Sequence, residues 1–468
     1  MHSNSGPLMR PLLLSLFAAA LLALPLAAQE PPAWADEIRA IKVPDGRLPD
    51  YASRPPVAVD WPPPPLTTAP KPVRALYVNA WAFGTKKFYE LIRLIEGTEV
   101  NSLVIDVKDD TGYLSYQTTV PTAIQIGANK QLRAPDARER IRTLIAHGIH
   151  PIARIVVAKD PLLATRKPEW AILKAGGGEW HDRQGRAWVD AFNDSVWIYA
   201  GQLGAEAVKL GFAELQFDYV RFPDEPKGRM ADAVFTARKG KETSQDGVTR
   251  NIRMLRERMK PLGVPFTIDI FGLTTSAEND MGIGQKWENL VQSADAVLPM
   301  VYPSHYGRGS YGFDHPNSEP YLVIKHAMTD ALRRSAPYKN SAEIRPYFQA
   351  FTLGKPRYTP AHVREQIRAA DELGIHGWVL WNARSAYERA YLRDASGKLA
   401  AGAGARVDTT DRRTDGQTGR RTDGQVDTMA KADAVIKADS SAKPDSTVKP
   451  DSIVKPDSAA KPDSAPCR

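Results

Sequence analysis

The stretch LQFDYVRFP, Leu215–Pro223, carries one aspartate inside a run that is rich in apolar and aromatic residues. Such a run is typical of a buried strand in a parallel sheet covered by helices. Strand alternation places Gln216 on the same face as Asp218. A carboxylate among apolar groups costs free energy unless it is paired or used, and Arg221 could form its counter-ion. The stretch therefore predicts a buried strand that ends in a functional or ion-paired aspartate.

Seven other short apolar runs have the same character, and eight strands are therefore predicted. They are Val73–Trp81, Ser102–Val107, Pro151–Ala158, Glu214–Phe222, Pro265–Gly272, Ala294–Tyr302, Ile344–Phe351 and Gly377–Trp381. Strands that alternate with amphipathic helical segments form either a closed barrel or an open doubly wound sheet. The count of eight favours closure, and residues 79–82 offer no glycine-rich phosphate loop after the first strand. We predict the α/β class and a single (β/α)8 TIM barrel.

The two ends of the chain differ in composition from the body. Residues 1–28 have the charge and apolar run of a signal peptide, with a retained membrane anchor as the alternative. Residues 29–71 form a proline-rich lead-in, 72–397 the barrel, and 398–468 a low-complexity tail that is predicted to be disordered. We therefore expect an exported protein, periplasmic or extracellular, that meets a membrane only through its signal segment. Its oligomeric state stays open.

Several classes of function are disfavoured by composition. The chain of 468 residues has a net charge of +8, and its Lys and Arg residues are interspersed with acidic residues through most of its length. This distribution disfavours a groove that binds nucleic acid. Cys467 is the single cysteine, so neither an intramolecular disulfide nor a cysteine-based zinc site can form. His305 and His315 do not have the spacing of helical metal ligands, and no nucleophile-elbow serine is present. We expect neither a metal nor a cofactor.

The active site of an α/β barrel lies at the C-terminal ends of its strands, so polar residues there are candidates. Asp218 and Asp269 are the candidate catalytic carboxylates. Asp106 and Lys108 share a face of the second strand and are predicted to pair, whereas Asp109 and Asp110 begin a turn. The candidate substrate-binding residues are Trp81, Asp106, Lys108, Arg154, Arg221, Tyr302, Gln349, Trp381 and Asn382. The alternatives are core packing for each tryptophan and a structural Asp218–Arg221 pair.

A resemblance to a known family is carried by Val73–Trp81, Ser102–Gly112, Leu215–Pro223, Pro299–Ser304 and Val379–Asn382. These segments resemble a family of glycoside hydrolase domains of unknown function that is distantly similar to the α-amylase superfamily of TIM barrels. The similarity covers residues 72–397, and Leu215–Pro223 is its most specific part.

The resemblance implies hydrolysis of glycosidic bonds, with Asp218 as nucleophile and Asp269 as general acid. Asp106, Glu278 and Asp314 are rival acids. The chain departs from the amylase pattern at Gln216, where those enzymes have arginine, and at Pro346–Gln349, which lacks their strand-seven aspartate.

Three functions therefore stand as expectations. The first is a glycoside hydrolase that acts on an extracellular or cell-envelope polysaccharide or oligosaccharide. The second is a barrel that binds carbohydrate without catalysis, and the third is an envelope scaffold that acts through its tail.

Overall fold

The computed structural model describes residues 67–394 and 396–398. The predicted signal peptide, nearly all of the proline-rich lead-in, and the tail beyond Lys398 lie outside the described residues. Within the described part of the chain, no helix has the length and apolar character that crossing a membrane requires.

Eight parallel strands close into a barrel, which confirms the predicted fold. They are β1 (Arg74–Val78), β2 (Ser102–Lys108), β3 (His150–Val156), β4 (Glu214–Asp218), β5 (Phe266–Phe271), β6 (Ala296–Met300), β7 (Tyr347–Gln349) and β8 (Trp378–Trp381). Neighbours in the chain are neighbours in the barrel, and β8 pairs with β1.

The pairing between β6 and β7 is the irregular part of the barrel. The short strand Glu343–Ile344 pairs with β6, and β7, which follows it in the chain, pairs with β8. Tyr347 of β7 pairs with Met300 of β6 and closes the ring. Pro346, which lacks a backbone N–H, lies between the two pieces.

Helices between the strands cover the barrel. They are α1 (Ala80–Phe83), α2 (Lys86–Ile95), α3 (Pro121–Ile126), α4 (Ala137–Ala146), α5 (Pro161–Arg166), α6 (Asp194–Leu210), α7 (Lys227–Met230), α8 (Ser244–Met259), α9 (Trp287–Leu290), α10 (Pro320–Ser335) and α11 (Pro360–Asp371). Short 3₁₀ turns occupy Ala128–Gln131, Pro168–Trp170, Lys260–Leu262, Gly272–Thr275, Pro303–His305, Ser310–Gly312, Pro316–Ser318 and Arg389–Tyr391. A small antiparallel pair joins Leu173–Lys174 to Ala233–Val234.

Local signals set where these elements begin and end. The Asn193 side chain accepts a hydrogen bond from the Ser195 N–H at the start of α6. That helix ends with Gly211 as its C-cap, whose φ of 112° is the left-handed conformation that favours glycine at this position. Two predicted strands end earlier than expected: Asn79 caps α1 and moves Trp81 into that helix, and Tyr219 leaves β4 with a φ of 52°.

The apolar core has two parts. The larger part packs the outer faces of the strands against the helices. The smaller part fills the inside of the barrel with inward-facing residues, among them Ala75, Val104, Ile152, Leu298 and Val379. Burial of both sets removes apolar surface from water and is the main stabilisation of the fold.

A buried ionic group lies at the N-terminal ends of the strands. We call His150, Glu214 and Arg345 the lower ion cluster. Arg345 Nη1 lies 2.6 Å from Glu214 Oε1, and His150 Nε2 lies 3.5 Å from Glu214 Oε2. Burial opposes ionisation of Glu214, but Arg345 and His150 outweigh it and lower the pKa of that carboxyl. The lower ion cluster therefore pairs the buried Glu214 carboxylate with the Arg345 guanidinium.

Candidate active site

A cleft of about 330 Å³ opens at the C-terminal ends of the strands. Four carboxylates, four guanidinium groups and several rings line it. The charged and aromatic lining residues are Asp106, Asp109, Asp110, Asp218, Arg133, Arg154, Arg186, Arg221, Tyr77, Trp81, Tyr219, Phe271, Tyr302, His305 and Trp381. The position of this cleft is the one expected for the active site of an α/β barrel.

Arg154 on β3 organises the carboxylates at the floor of the cleft. Its Nε donates to Asp218 Oδ2 at 3.0 Å, and its Nη1 donates to Asp106 Oδ1. The same Nε lies 3.6 Å from Asp269 Oδ2. We call Asp106, Arg154, Asp218 and Asp269 the upper carboxylate cluster. It brings three carboxyl groups to one buried cation.

The register of three strands explains this meeting. Asp106 on β2 pairs with Arg154 on β3, and Arg154 pairs with Gln216 on β4. Arg154 on the neighbouring strand thus lies directly opposite Gln216. Gln216 occupies the position at which amylase-like enzymes have an arginine. The predicted Asp218–Arg221 ion pair is wrong, because Arg154 reaches Asp218 from β3.

Asp218 is the last residue of β4 and lines the cleft. Its Oδ1 accepts a hydrogen bond from the Tyr219 N–H, and its Oδ2 accepts from Arg154. Tyr219 adopts a φ of 52°, a costly conformation for a residue with a side chain. These contacts hold the carboxylate in one orientation at the cleft floor.

Asp106 lines the cleft from the end of β2. Tyr77 donates its hydroxyl to Asp106 Oδ2. Burial raises the pKa of Asp106 to about 6, although Arg154 and Tyr77 favour its ionised form. Asp106 can therefore hold or release a proton near neutral pH, as a general acid must.

Asp269 on β5 is fully buried and is not among the residues that line the cleft. Gln216 Nε2 donates to its Oδ2 at 2.9 Å, and its Oδ1 has no hydrogen-bond partner among the described residues. Burial and the neighbouring Asp218 raise the pKa of Asp269 well above its ordinary value. The structure thus places a carboxyl group with a raised pKa beside Asp218 but not in the cleft.

Lys108 does not pair with Asp106, and it does not reach the cleft. A register irregularity falls between Asp106 and Lys108 on β2. Lys108 Nζ instead lies 2.5 Å from Asp160 Oδ2, and 5.3 Å from the ring centroid of Tyr199 on α6. The bulge therefore turns this lysine toward the helical layer.

Gln349 and Asn382 do not line the cleft either. Their side chains form hydrogen bonds with the backbone of neighbouring loops. Gln349 Oε1 accepts from the Ser304 N–H, and Asn382 Nδ2 donates to the Ala350 carbonyl. The rival acids Glu278 and Asp314 are exposed and do not line the cleft.

The predicted aromatic residues reach the cleft. Trp381 stacks on Tyr77 with ring centroids 3.8 Å apart, and the hydroxyl of Tyr302 has no hydrogen-bond partner among the described residues. Trp81 is 58% exposed, with the Arg133 guanidinium 5.1 Å from its ring centroid. This exposed ring offers a flat apolar surface at the edge of the cleft.

Other lining residues were missed by sequence reasoning. Asp109 forms the predicted turn through the Thr111 N–H, but it also lines the cleft. Its place directly after β2 was the available signal. Tyr77 had a weaker signal, its inward position on β1. Arg133 had none, because it comes from a loop far from any strand end.

His305 lines the cleft and His315 does not. Within residues 67–394 and 396–398, no group of three or more metal-binding side chains is arranged to hold an ion.

The chain matches one sequence family over residues 75–387, and that family is described as "Putative glycosyl hydrolase domain". No curated protein matched the chain.

Several solved structures are similar. A hypothetical protein from Ruminiclostridium thermocellum ATCC 27405 has 31% identity and a TM-score of 0.38, over 44% of this chain and 98% of its own. The PgaB (BpsB) glycoside hydrolase domain from Bordetella bronchiseptica has 13% identity and a TM-score of 0.47, over 67% and 95%. An α-galactosidase from Thermus thermophilus has 14% identity and a TM-score of 0.40, over 69% and 59%.

Proposed function

The chain belongs to this glycosyl hydrolase domain family, and from that premise we propose that it hydrolyses glycosidic bonds at the upper carboxylate cluster. One observation carries the proposal. Two carboxyl groups, Asp106 and Asp218, line a single cleft and share the Arg154 guanidinium, and burial raises the pKa of Asp106 to about 6. Glycoside hydrolysis uses such a pair, one carboxylate ionised and one carboxyl protonated.

Asp218 acts as nucleophile or base in this proposal. Its Oδ2 is held by the Arg154 guanidinium, which stabilises the negatively charged form. The hydrogen bond from the Tyr219 N–H fixes the direction of the other oxygen. Arg154 is a positioning residue here.

Asp106 is the general acid that the geometry favours. The sequence pointed first to Asp269, whose raised pKa suits an acid. Asp106 lines the cleft and Asp269 does not, so Asp106 is the group with access to a leaving oxygen. Asp269 then serves as a neutral neighbour that limits the negative charge around Asp218.

The substrate is a polysaccharide or oligosaccharide of the cell envelope or the extracellular space, and the protein is exported. The aromatic rings of Trp81 and Trp381 support a carbohydrate substrate, because flat rings stack on the apolar faces of sugars. The composition of residues 1–28 supports export. The N-terminal sequence of the protein recovered from cells and culture medium tests both processing and location.

The test is hydrolysis of a polysaccharide panel by the wild type and by Asp218→Asn, Asp106→Asn and Asp269→Asn. Asp218→Asn should lose hydrolysis of every substrate. Asp106→Asn should lose hydrolysis of the polysaccharide but retain activity on aryl glycosides, whose leaving groups need no protonation. If Asp269→Asn shows that pattern and Asp106→Asn does not, Asp269 is the acid. Hydrolysis unchanged in Asp218→Asn would refute the proposed site.

A second candidate is a barrel that binds carbohydrate without cleaving it. Both oxygens of Asp106 and both oxygens of Asp218 accept hydrogen bonds from the protein itself, which favours this candidate. Oligosaccharide binding without any hydrolysis by the wild type, unchanged in Asp218→Asn, would establish it.

A further inference from the structure

Arg221 is a buried cation without a counter-ion in the part of the chain that the structure describes. It follows β4, lines the cleft and is 4% exposed. Its Nη1 donates to the Phe222 carbonyl at 3.0 Å. No carboxylate lies within ion-pair distance of it among the residues that the structure describes.

The other three arginines of the cleft differ in this respect. Arg154 binds Asp106 and Asp218, while Arg133 lies 3.5 Å from Asp109. Arg186 lies 3.8 Å from a carboxylate oxygen of Asp110. A buried charge is costly without a partner, so an unpaired guanidinium in a cleft indicates that a ligand supplies the negative charge.

Aromatic rings hold the Arg221 guanidinium in place. Its Cζ lies 4.4 Å from the ring centroid of Phe271, 4.7 Å from that of Tyr219 and 5.3 Å from that of Trp188. Aromatic rings attract the charged guanidinium and stack on its flat face, which leaves the N–H groups at its edge for hydrogen bonding. The side chain is therefore oriented before any ligand binds.

Two other cations lie near Arg221. Lys159 Nζ lies 5.7 Å from the Trp188 ring centroid and 5.1 Å from that of Tyr219, the rings that also contact Arg221. Lys159 and Arg186 approach the same carboxylate, Asp110, at 3.6 and 3.8 Å. Two further cations therefore lie on the same side of the cleft as Arg221.

We infer that the substrate is an acidic saccharide and that Arg221 binds its carboxylate. The inference rests on the proposed function for its claim that the ligand is a saccharide. A guanidinium edge matches the two oxygens of a carboxylate, which gives both affinity and orientation. A sugar ring with a carboxylate substituent, as in a hexuronic acid, has the required group, and its neutral analogue leaves Arg221 unpaired.

The experiment compares oligosaccharides that differ only in charge. Tetrasaccharides of α-linked and β-linked hexuronic acids are used as such and after reduction of their carboxyl groups to alcohols. Calorimetry measures binding to the full chain carrying Asp218→Asn, and release of reducing ends measures hydrolysis by the wild type. At least one acidic member should bind ten- to hundredfold more tightly than its reduced form, and this preference should weaken with salt.

Variants of two cleft arginines assign the preference. Arg221→Gln, made in the Asp218→Asn protein, should bind the acidic and reduced forms equally, and Arg221→Lys should keep part of the preference. Arg133→Gln is the matched control, because Arg133 lines the cleft beside Asp109, and it should keep the preference. If Arg221→Gln fails to fold, Arg221→Lys decides, because a preference equal to that of the Asp218→Asn parent would overturn the inference.

The outcomes separate this inference from the proposed hydrolysis. Equal or weaker binding of every acidic member, no binding of either form, or a preference that survives in Arg221→Gln would overturn the inference. A preference for the acidic form without any turnover would support the inference while the hydrolase proposal fails. Turnover of a reduced form without any acidic preference would overturn the inference and leave the hydrolase proposal standing.

Discussion

The lower ion cluster and the upper carboxylate cluster lie at opposite ends of the same barrel interior. Both are buried, and each is organised by one arginine on a strand or next to one. In the lower ion cluster, Arg345 and His150 lower the pKa of Glu214. In the upper carboxylate cluster, burial and crowding raise the pKa of Asp106 and Asp269.

The difference lies in charge stoichiometry and in access. The lower ion cluster pairs its buried carboxylate with one arginine, which is the arrangement of a structural group. The upper carboxylate cluster gathers three carboxyl groups around one cation and opens into a cleft. Perturbed pKa values beside a cleft indicate a functional site. We therefore assign catalysis to the upper carboxylate cluster and a stabilising role to the lower ion cluster.

The largest effects on stability and activity are expected when the central arginine of each cluster is removed. Arg154→Met and Arg345→Met each leave buried carboxyl groups without their cation, which should cost about 3–5 kcal/mol of unfolding free energy. Arg154→Met should also lower kcat at least about a thousandfold, since about 4 kcal/mol of transition-state stabilisation is then lost. Denaturant unfolding and reducing-end assays measure the two quantities.

Arg345→Met is the matched control for that experiment. Its folded fraction should keep the kcat of the wild type. Equal loss of kcat per folded molecule in the two variants would remove the distinction between the clusters.

The pH dependence of stability should have opposite signs at the two ends. The pKa of Asp106 rises from 3.8 to about 6 in the folded state, so the stability from this group is present below pH 3.8 and lost as pH rises through 6. Asp106→Asn should therefore gain about 2 kcal/mol relative to the wild type between pH 4 and pH 7. Unfolding free energies at several pH values test this.

Glu214→Gln should show the reverse trend. Because the folded pKa of Glu214 is lowered, its stabilisation is present above the ordinary pKa and is lost as pH falls. The deficit of Glu214→Gln should therefore shrink in acid. A parallel pH trend in the two variants would contradict the assigned environments.

The loss of activity at high pH should follow the deprotonation of Asp106. A general acid with a pKa of about 6 must be protonated to act, so kcat/KM should fall as pH rises above 6. At pH 8 it should be about a hundredfold below its plateau. The profile should keep its shape in Glu214→Gln, and a basic limb that survives in Asp106→Asn would show that another group is the acid.

Much of the fold was predictable because its signals are local. Eight apolar runs and the helices between them gave the barrel, and Asp218 was placed at the end of β4 from one segment of sequence. The predicted partner of Asp218 was wrong because strand register, which brings Arg154 opposite Gln216, is a property of the closed barrel. The bulge that turns Lys108 outward also has no local signature.

The lower ion cluster was missed for the same reason. Its three residues are far apart in sequence: His150 begins β3, Glu214 begins β4, and Arg345 follows the short strand Glu343–Ile344. Closure of the barrel brings them together, so their contacts depend on the whole fold. Loop residues of the cleft such as Arg133 were hidden for a similar reason.

Trp81 extends the comparison to the rim of the upper end, and the smallest effect is expected there. Trp81→Ala should raise KM about fivefold to tenfold, because stacking on an exposed ring contributes about 1 kcal/mol. The melting temperature should not change, since the side chain is 58% exposed. Leu322→Ala, a partly exposed apolar residue on α10, is the control and should leave KM unchanged.

The most direct test of the account is the rate of reducing-end release by Asp218→Asn and Glu214→Gln on one polysaccharide, each divided by its folded fraction. Both changes remove one buried carboxylate charge from the barrel interior and keep the shape of the side chain. The account predicts that Asp218→Asn folds and loses hydrolysis at least about a thousandfold, whereas folded Glu214→Gln hydrolyses at the wild-type rate. Hydrolysis that persists in Asp218→Asn, or that is lost equally in folded Glu214→Gln, would contradict it.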